Sequence, residues 1–200
     1  MGLWMIQSVR RELNGVSYVT GKTDADPGCS NGALTPALQL SGAAGHGDWS
    51  FPDLIEAAKE AQDFTSQVDV NDDRFLSPQI MISEVQKACR ESGQAEPRSV
   101  GELMQCLYLS LTTCYLRAVK ELSAITGKTY TAVNIIGGGC QDEYLDAMTA
   151  NRTGLTVYAG PVEGTAIGNL AVQMITAGEF RNLDEARACI AKSFEVKRFG

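Results

Sequence analysis

The sequence is short of basic residues and of histidine. Seventeen Lys and Arg residues stand against 24 Asp and Glu, which gives a formal net charge of −7 at pH 7, and His46 is the one histidine. A surface with this balance repels polyanions, and no basic stripe interrupts it. We therefore expect neither nucleic acid nor an anionic membrane as a partner. The lack of C-x-x-C pairs and of further histidines also argues against a structural zinc site.

Long apolar runs are missing as well. None approaches the roughly 18–20 residues that a membrane-spanning helix needs. The N-terminal MGLWMIQSVRREL places its basic residues after the apolar ones, unlike a signal peptide. These features predict a cytoplasmic protein. Its six cysteines are then expected to be reduced, and mostly buried as small hydrophobic side chains; they are Cys29, Cys89, Cys106, Cys114, Cys140 and Cys189.

Helical spacing of apolar residues predicts several helices in the first two thirds of the chain. The segments are GLWMIQSVRREL, PQIMISEVQKACRE and the long SVGELMQCLYLSLTTCYLRAVKELSAITG. The long segment has an apolar face from Leu103 to Ile125, and Ser99 with Glu102 has the spacing of a capping box at its start. Ser50 marks the start of a further helix in SFPDLIEAAKEAQDF.

Two segments lack periodicity. Residues 21–47 are rich in Gly, Pro, Ser and Asn, which predicts a long surface loop. VNDDRFLSPQ is a shorter, turn-rich connector.

Strands alternate with helices from about residue 131 onward. A β-prone segment runs into Gly137-Gly138-Gly139 and a helix, and LTVYAG forms a second strand before a helix at about 164–178. A terminal helix in NLDEARACIAKS and a possible edge strand in FEVKRF follow. This alternation predicts an α/β layer with at least one parallel strand pair. Because the strands are few, the predicted fold class is α/β with an incomplete sheet and a large helical part.

The glycine triplet could serve several kinds of site. The chain's two G-K-T sequences lack the earlier glycine of a P-loop, and Asp142 stands where a dinucleotide fingerprint needs Gly or Ala. Asp142 and Glu143 suit a helix N-terminus but would repel a phosphate there, which favours a base or ribose against bare backbone. Cys140 resembles a nucleophile at a strand-to-helix bend, but no base accompanies it, so a cysteine hydrolase is the weakest alternative.

A second glycine-rich corner lies in YAGPVEGTAIGNLAVQM. Its small residues are Gly164, Thr165, Ala166 and Gly168. Small residues indicate close approach of backbone, and we expect packing here more than ligand contact.

Four blocks of the chain resemble, in order, the C-terminal part of the bacterial rhamnulokinases, a group of the FGGY carbohydrate kinases. The blocks are MGLWMIQSVRRE, NDDRFLSP with SEVQKACRE, IIGGGCQDEYLDAMTA and VYAGPVEGTAIGNLAVQMI. The 21–47 loop departs from the family pattern. The resemblance implies that residues 1–200 are part of the C-terminal, nucleotide-side lobe of a ribonuclease H-like, actin-like ATPase fold, without the N-terminal sugar-binding lobe.

The resemblance also implies a site for ATP and ADP. Gly138 matches the family's nucleotide-contacting glycine, Gly137 and Gly139 form the bend around it, and Gln7 matches a glutamine that contacts the nucleotide. Gln141 and Asp142 are the neighbouring candidates for contact with adenine or ribose.

The implied activity is transfer of the γ-phosphate of ATP to L-rhamnulose, giving L-rhamnulose 1-phosphate. The catalytic aspartate, the Mg²⁺ ligands, the phosphate-binding hairpins and the sugar pocket are expected upstream of Met1, so no catalytic or metal-binding residue is assigned. We expect this chain alone to be inactive, and to self-associate through an exposed sheet edge. The alternatives are another FGGY sugar kinase of the xylulose, fuculose or glycerol type, or a non-catalytic nucleotide-binding remnant or interaction module.

Overall fold

A computed structural model describes residues 3–16, 40–43 and 48–200. The chain divides into two compact units, Met1–Cys114 and Tyr115–Gly200, here called the helical unit and the sheet unit. The helices of the described residues are α1 Trp4–Leu13, α2 Phe51–Glu60, α3 Met81–Glu91, α4 Val100–Thr126, α5 Glu143–Thr153, α6 Gly164–Thr176 and α7 Leu183–Ser193; the strands are β1 Ala132–Ile135, β2 Thr156–Ala159 and β3 Lys197–Phe199. The predicted fold class, α/β with a large helical part, is confirmed.

The helical unit has a dense apolar core. Its fully buried large side chains come from α1 to α4 and from the short 3₁₀ helix Asp73–Phe75: Met5, Ile6, Leu54, Phe75, Met81, Ile82, Leu103, Met104, Leu107, Tyr108 and Leu111. Trp4 contributes a further link, because its Nε1–H donates to the Phe75 carbonyl oxygen over 3.3 Å. The segment around Phe75, predicted to be only a turn-rich connector, thus supplies a core residue.

Two helix starts follow from local sequence as predicted. Ser50 precedes α2, where its N–H donates to Asp53 Oδ2 over 2.8 Å and its Oγ accepts from the Asp53 N–H over 3.4 Å. At the start of α4, the Glu102 N–H donates to Ser99 Oγ over 3.1 Å, and Glu102 Oε2 accepts from the Ser99 N–H over 3.2 Å. Both are reciprocal capping boxes, so these helices begin where the sequence predicts.

Helix α3 is capped by a residue from another helix. No side chain at its own N-cap, Ile80, forms a capping hydrogen bond. Instead the buried carboxylate of Glu12, on α1, accepts from the N–H groups of Met81 over 2.6 Å and Ile82 over 3.0 Å. Burial raises the pKa of Glu12 to about 7, and the two backbone donors offset only part of that effect.

The sheet unit contains a three-stranded sheet in the order β1-β2-β3. β1 and β2 are parallel, with Ala132 opposite Thr156 and Ile135 opposite Ala159. β3 is antiparallel to β2, with Val157 opposite Phe199. The predicted parallel pair and the predicted edge strand in FEVKRF are both confirmed.

The apolar face of α4 differs from the prediction. It is buried through Leu111, but Leu122 is 50% exposed and Ile125 is 81% exposed. The regular spacing of apolar residues indicates a helix but not what covers it, and the second half of the helix has too few described neighbours to bury these side chains.

Two further predictions need correction. Cys189 is exposed, whereas Cys89, Cys106 and Cys140 are buried as expected and Cys114 is half-buried; Cys29 lies outside the described residues. Most of the predicted 21–47 loop, including His46, also lies outside them. The described part of this segment, residues 40–43, is packed into the helical unit, because Leu40 is buried and Ser41 forms a β-bridge with Ser99.

None of the described helices is long and apolar enough to cross a membrane.

Candidate functional site

Two turns meet at the carboxyl edge of the parallel strands. β1 is followed by the 3₁₀ helix Gly137–Gln141, and β2 by the corner at Gly160 and Pro161. The Gly137 N–H donates to the Pro161 carbonyl oxygen over 3.2 Å, and the Gly160 N–H donates to the Ile135 carbonyl oxygen over 2.8 Å. The two turns therefore form one continuous backbone surface. Ligands of open α/β sheets characteristically bind at this edge.

The glycines of this surface have different roles. Gly137 has φ of +77°, a conformation that favours glycine. Gly138 is exposed, and a Cβ built on it would meet no atom within 4 Å. The backbone at Gly138 is thus open to solvent, with room for a flat ligand to approach the main chain.

In the second glycine-rich corner, Gly164 has a packing role. A Cβ on Gly164 would lie 3.1 Å from the Cβ of Ile136, so the absence of a side chain lets α6 begin directly beside the glycine turn. This agrees with the packing role predicted for Gly164. A Cβ on Gly168 would meet nothing within 4 Å, so the packing role predicted for Gly168 is wrong.

The start of α5 is acidic. Asp142 is its N-cap and accepts from the Leu145 N–H at Oδ1 over 3.0 Å. Glu143 follows in the first turn and forms an ion pair with Lys197 of β3, with 2.6 Å between Oε1 and Nζ. Because the helix N-terminus already holds carboxylates, it favours an uncharged part of a ligand over a phosphate.

Asp146 is a third acidic residue near the start of α5. The residue is fully buried, and neither carboxylate oxygen has a hydrogen-bond partner among the described residues. Burial, helped by the charges of Asp142 and Glu143, raises its pKa to about 6. Ionised Asp146 is therefore a costly feature of the sheet unit.

Cys140 does not have the environment of a catalytic nucleophile. It is buried in the 3₁₀ helix, and burial raises the pKa of its thiol, as does the nearby charge of Asp146. A reactive cysteine needs the opposite shift, since the thiolate is the nucleophile. The cysteine-hydrolase alternative thus lacks physical support.

The remaining predicted site residues are exposed. Gln141 ends the 3₁₀ helix with its side chain toward solvent. Gln7 is exposed on α1, although its neighbours Ile6 and Ser8 are buried. Gln7 belongs to the helical unit and the glycine turn to the sheet unit. Gly137, Gly138, Gly139, Gln141 and Asp142 lie together in one turn. Their contacts with a nucleotide, and that of Gln7, stay predictions.

Sequence comparison identifies the family to which the chain belongs. Residues 4–177 match the model of the FGGY family of carbohydrate kinases, C-terminal domain. The chain is similar to proteins named rhamnulokinase: 40% identical over its whole length to one from Halalkalibacterium halodurans, 45% over 76% of the chain to one from Bacillus subtilis, and 36% over its whole length to one from Ligilactobacillus salivarius. These matches cover 36%, 31% and 34% of the three relatives, so the chain spans about a third of their length. The chain belongs to the FGGY family of carbohydrate kinases and corresponds to its C-terminal domain.

Proposed function

We propose that this chain supplies the adenosine side of the ATP site of a carbohydrate kinase that phosphorylates L-rhamnulose to L-rhamnulose 1-phosphate in the cytoplasm. The observation that carries the proposal is the open backbone at Gly138, exposed and without an obstructing atom within 4 Å. The membership of the FGGY family supports a sugar kinase, and the similarity to proteins named rhamnulokinase supports this sugar.

In this proposal each site residue has a defined contact. The main chain of Gly137, Gly138 and Gly139 lies against the purine, and Gln141 and Asp142 offer side chains to adenine or ribose. Gln7 completes the nucleotide contact. The acidic start of α5 is compatible with this part of ATP, since it would disfavour the triphosphate but not the nucleoside.

The phosphoryl-transfer step needs more than this chain. Such transfer depends on positioning and on stabilising charge at the reacting phosphate, for which Mg²⁺ supplies positive charge when bound. Among the described residues, no group of three or more His, Cys, Asp or Glu side chains could hold a metal ion. From the membership of the FGGY family, we propose that the Mg²⁺ ligands and the catalytic aspartate belong to an N-terminal lobe.

Nucleotide binding can be tested with a matched pair of glycine variants. Gly138 and Gly168 are both exposed, and neither would bring a new Cβ within 4 Å of another atom. We expect Gly138→Leu to weaken ADP binding to the 200-residue chain at least about 10-fold, since the side chain would occupy the space of the purine. Gly168→Leu should leave binding unchanged. Isothermal titration calorimetry gives both affinities, and equal affinities in the two variants would reject the proposed site.

Catalysis is tested separately. A coupled assay of ADP release, with L-rhamnulose and Mg-ATP, should detect no turnover by the chain alone. Turnover by the purified chain would show that it contains a complete active site, contrary to the proposal.

We also propose that the chain self-associates through the sheet unit. β1 pairs only with β2 in the described sheet, so one edge of β1 presents backbone groups without strand partners there, and Ile136 beside it is exposed. Light scattering should show a concentration-dependent increase in mass. A monomer over a wide concentration range would contradict this proposal and leave the nucleotide site unaffected.

A further inference from the structure

A pair of buried thiols links two helices of the helical unit. Cys89 lies on α3 and Cys106 on α4, and their Sγ atoms are 3.9 Å apart. Both residues are fully buried. The pair belongs to a different part of the molecule from the glycine turn, and neither residue is used in the proposed kinase function.

The two thiols are in direct contact, and either sulfur can donate the hydrogen bond between them. If one is oxidised to a sulfenic acid, the other is therefore in place to resolve it. Cys89 is the one at a helix end, so it is the better placed of the two to meet an oxidant.

Cys89 is fully buried, so an oxidant reaches it only when the end of α3 opens. The residue lies in the last turn of α3, and its carbonyl oxygen accepts from the Gln94 N–H over 2.9 Å and from Ser92 Oγ–H over 3.0 Å. The residues of this connection, 91–95, are all exposed. Helix ends open locally more easily than helix centres, so brief opening of this turn would admit a molecule the size of peroxide.

We propose that Cys89 and Cys106 form a site of reversible oxidation, in which hydrogen peroxide converts their contact into a disulfide that ties α3 to α4. The Cys89 thiolate attacks one peroxide oxygen, the O–O bond breaks, and the other oxygen leaves as water after taking up a proton. The Cys106 sulfur then attacks the sulfenic sulfur of Cys89, the S–O bond breaks, and the hydroxyl group leaves as a second water with the proton of the Cys106 thiol. In total, two thiols and one peroxide give one disulfide and two waters.

The geometry makes the second step accessible. A disulfide has an S–S distance of about 2.05 Å, so the sulfurs must approach by roughly 2 Å from their present separation of 3.9 Å. Bond formation therefore requires rotation of the two side chains or a shift of the last turn of α3. The residues are 17 positions apart, so the bond would close a short loop around the α3–α4 connection.

Peptide mapping of the oxidised chain tests the proposal. Trypsin cleaves after Lys87, Arg90, Arg98 and Arg117, which places Cys89 in peptide 88–90 and both Cys106 and Cys114 in peptide 99–117. The experiment therefore uses a Cys114→Ser chain, treated with hydrogen peroxide, alkylated and digested without reduction. We expect the two peptides to be joined, lighter by two hydrogen atoms than their sum, and separated by dithiothreitol.

Two comparisons keep the result decisive. In the same background, Cys106→Ser should abolish the joined peptide and leave a Cys89 sulfenic acid that dimedone traps. The unaltered chain, mapped by fragment ions, gives the same answer if a variant folds poorly. Oxidation of exposed Cys189 without the joined peptide, or a joined peptide that forms only in urea, would overturn the proposal.

Discussion

The helical unit buries most of its large apolar side chains, whereas the sheet unit leaves nearly all of its own exposed or half-buried. Each of the largest fully buried side chains of the described residues lies between Met5 and Leu111. In the sheet unit the buried apolar residues are mostly small, as with Ala150, Ala159 and Ala171. Its exposed large ones are Leu122, Ile125, Ile136, Tyr158, Val162, Leu170, Val172, Leu183, Phe194 and Val196. Apolar burial, the dominant stabilising contribution, is therefore concentrated in the helical unit.

Helix α4 shows this contrast within one element. Leu107 is fully buried in its first half, and Leu122 is 50% exposed in its second half. The helix and the residue type are the same, so only the surroundings differ. A substitution at each position therefore compares the two environments directly.

The largest effect is expected from that pair. Leu107→Ala should lower the free energy of unfolding by about 2–5 kcal/mol, because it removes buried methyl groups and leaves a cavity. Leu122→Ala should change it by less than about 0.5 kcal/mol. Urea denaturation followed by circular dichroism measures both values. Equal losses would show that the second half of α4 is packed as tightly as the first, and would remove the contrast.

The next effect is the dependence of stability on pH. In the folded chain the pKa of Glu12 is raised from 4.5 to about 7. A raised pKa gives stability that is fully present below pH 4.5 and is lost as the pH rises through about 7, because ionisation of the buried carboxyl then opposes folding. The loss is about 3 kcal/mol.

Chemical denaturation of the chain at pH 5 and pH 8 tests this linkage. Glu12→Gln should flatten the pH dependence of the helical unit, since an amide does not titrate. Asp146→Asn is the matched control in the sheet unit. The pKa of Asp146 is raised to about 6, so its ionisation also lowers stability as the pH rises, but at a lower pH than that of Glu12. If Glu12→Gln keeps the full pH dependence, Glu12 is not its source.

A third effect compares two glycines inside helices. A Cβ on Gly101 of α4 would clash with the Ala57 carbonyl oxygen, so Gly101→Ala must push α2 and α4 apart. We expect a loss of about 1–3 kcal/mol from overpacking. Gly168→Ala in α6 meets no atom within 4 Å and should instead stabilise by up to about 1 kcal/mol through helix propensity. Thermal melts separate the two outcomes by sign, and a stabilising Gly101→Ala would contradict the close packing.

The sequence predicts those parts of the fold that depend on neighbouring residues. The starts of α2 and α4 follow from Ser50 and Ser99, because a cap and its partner are three residues apart. The cap of α3 could not be found this way, since Glu12 and Met81 are 69 residues apart. The buried role of Phe75 and the exposure of Ile125 likewise depend on distant packing.

The same distinction applies to the candidate site. The bend at Gly137-Gly138-Gly139 is predictable, because glycines between a strand and a helix are a local signal. The hydrogen bond from the Gly137 N–H to the Pro161 carbonyl oxygen is not, because it depends on the register of β1 against β2. Both glycine-rich corners are therefore predictable from sequence, and the structure adds the hydrogen bonds that join them.

The smallest effect is expected from ion pairs at the surface. The Glu143–Lys197 pair of the sheet unit is exposed on both sides, so Lys197→Ala should have no measurable effect on unfolding at physiological salt, where exposed charges are screened. Arg74 of the helical unit is less exposed and binds both Asp72 and Glu91 beside the buried Phe75. Arg74→Ala should therefore produce a larger fall in melting temperature than Lys197→Ala, and the fall should persist in 0.5 M sodium chloride (about a threefold excess over physiological ionic strength). A greater loss from Lys197→Ala would mean that β3 depends on this ion pair, and that the sheet unit is held together by charge where the helical unit relies on its core.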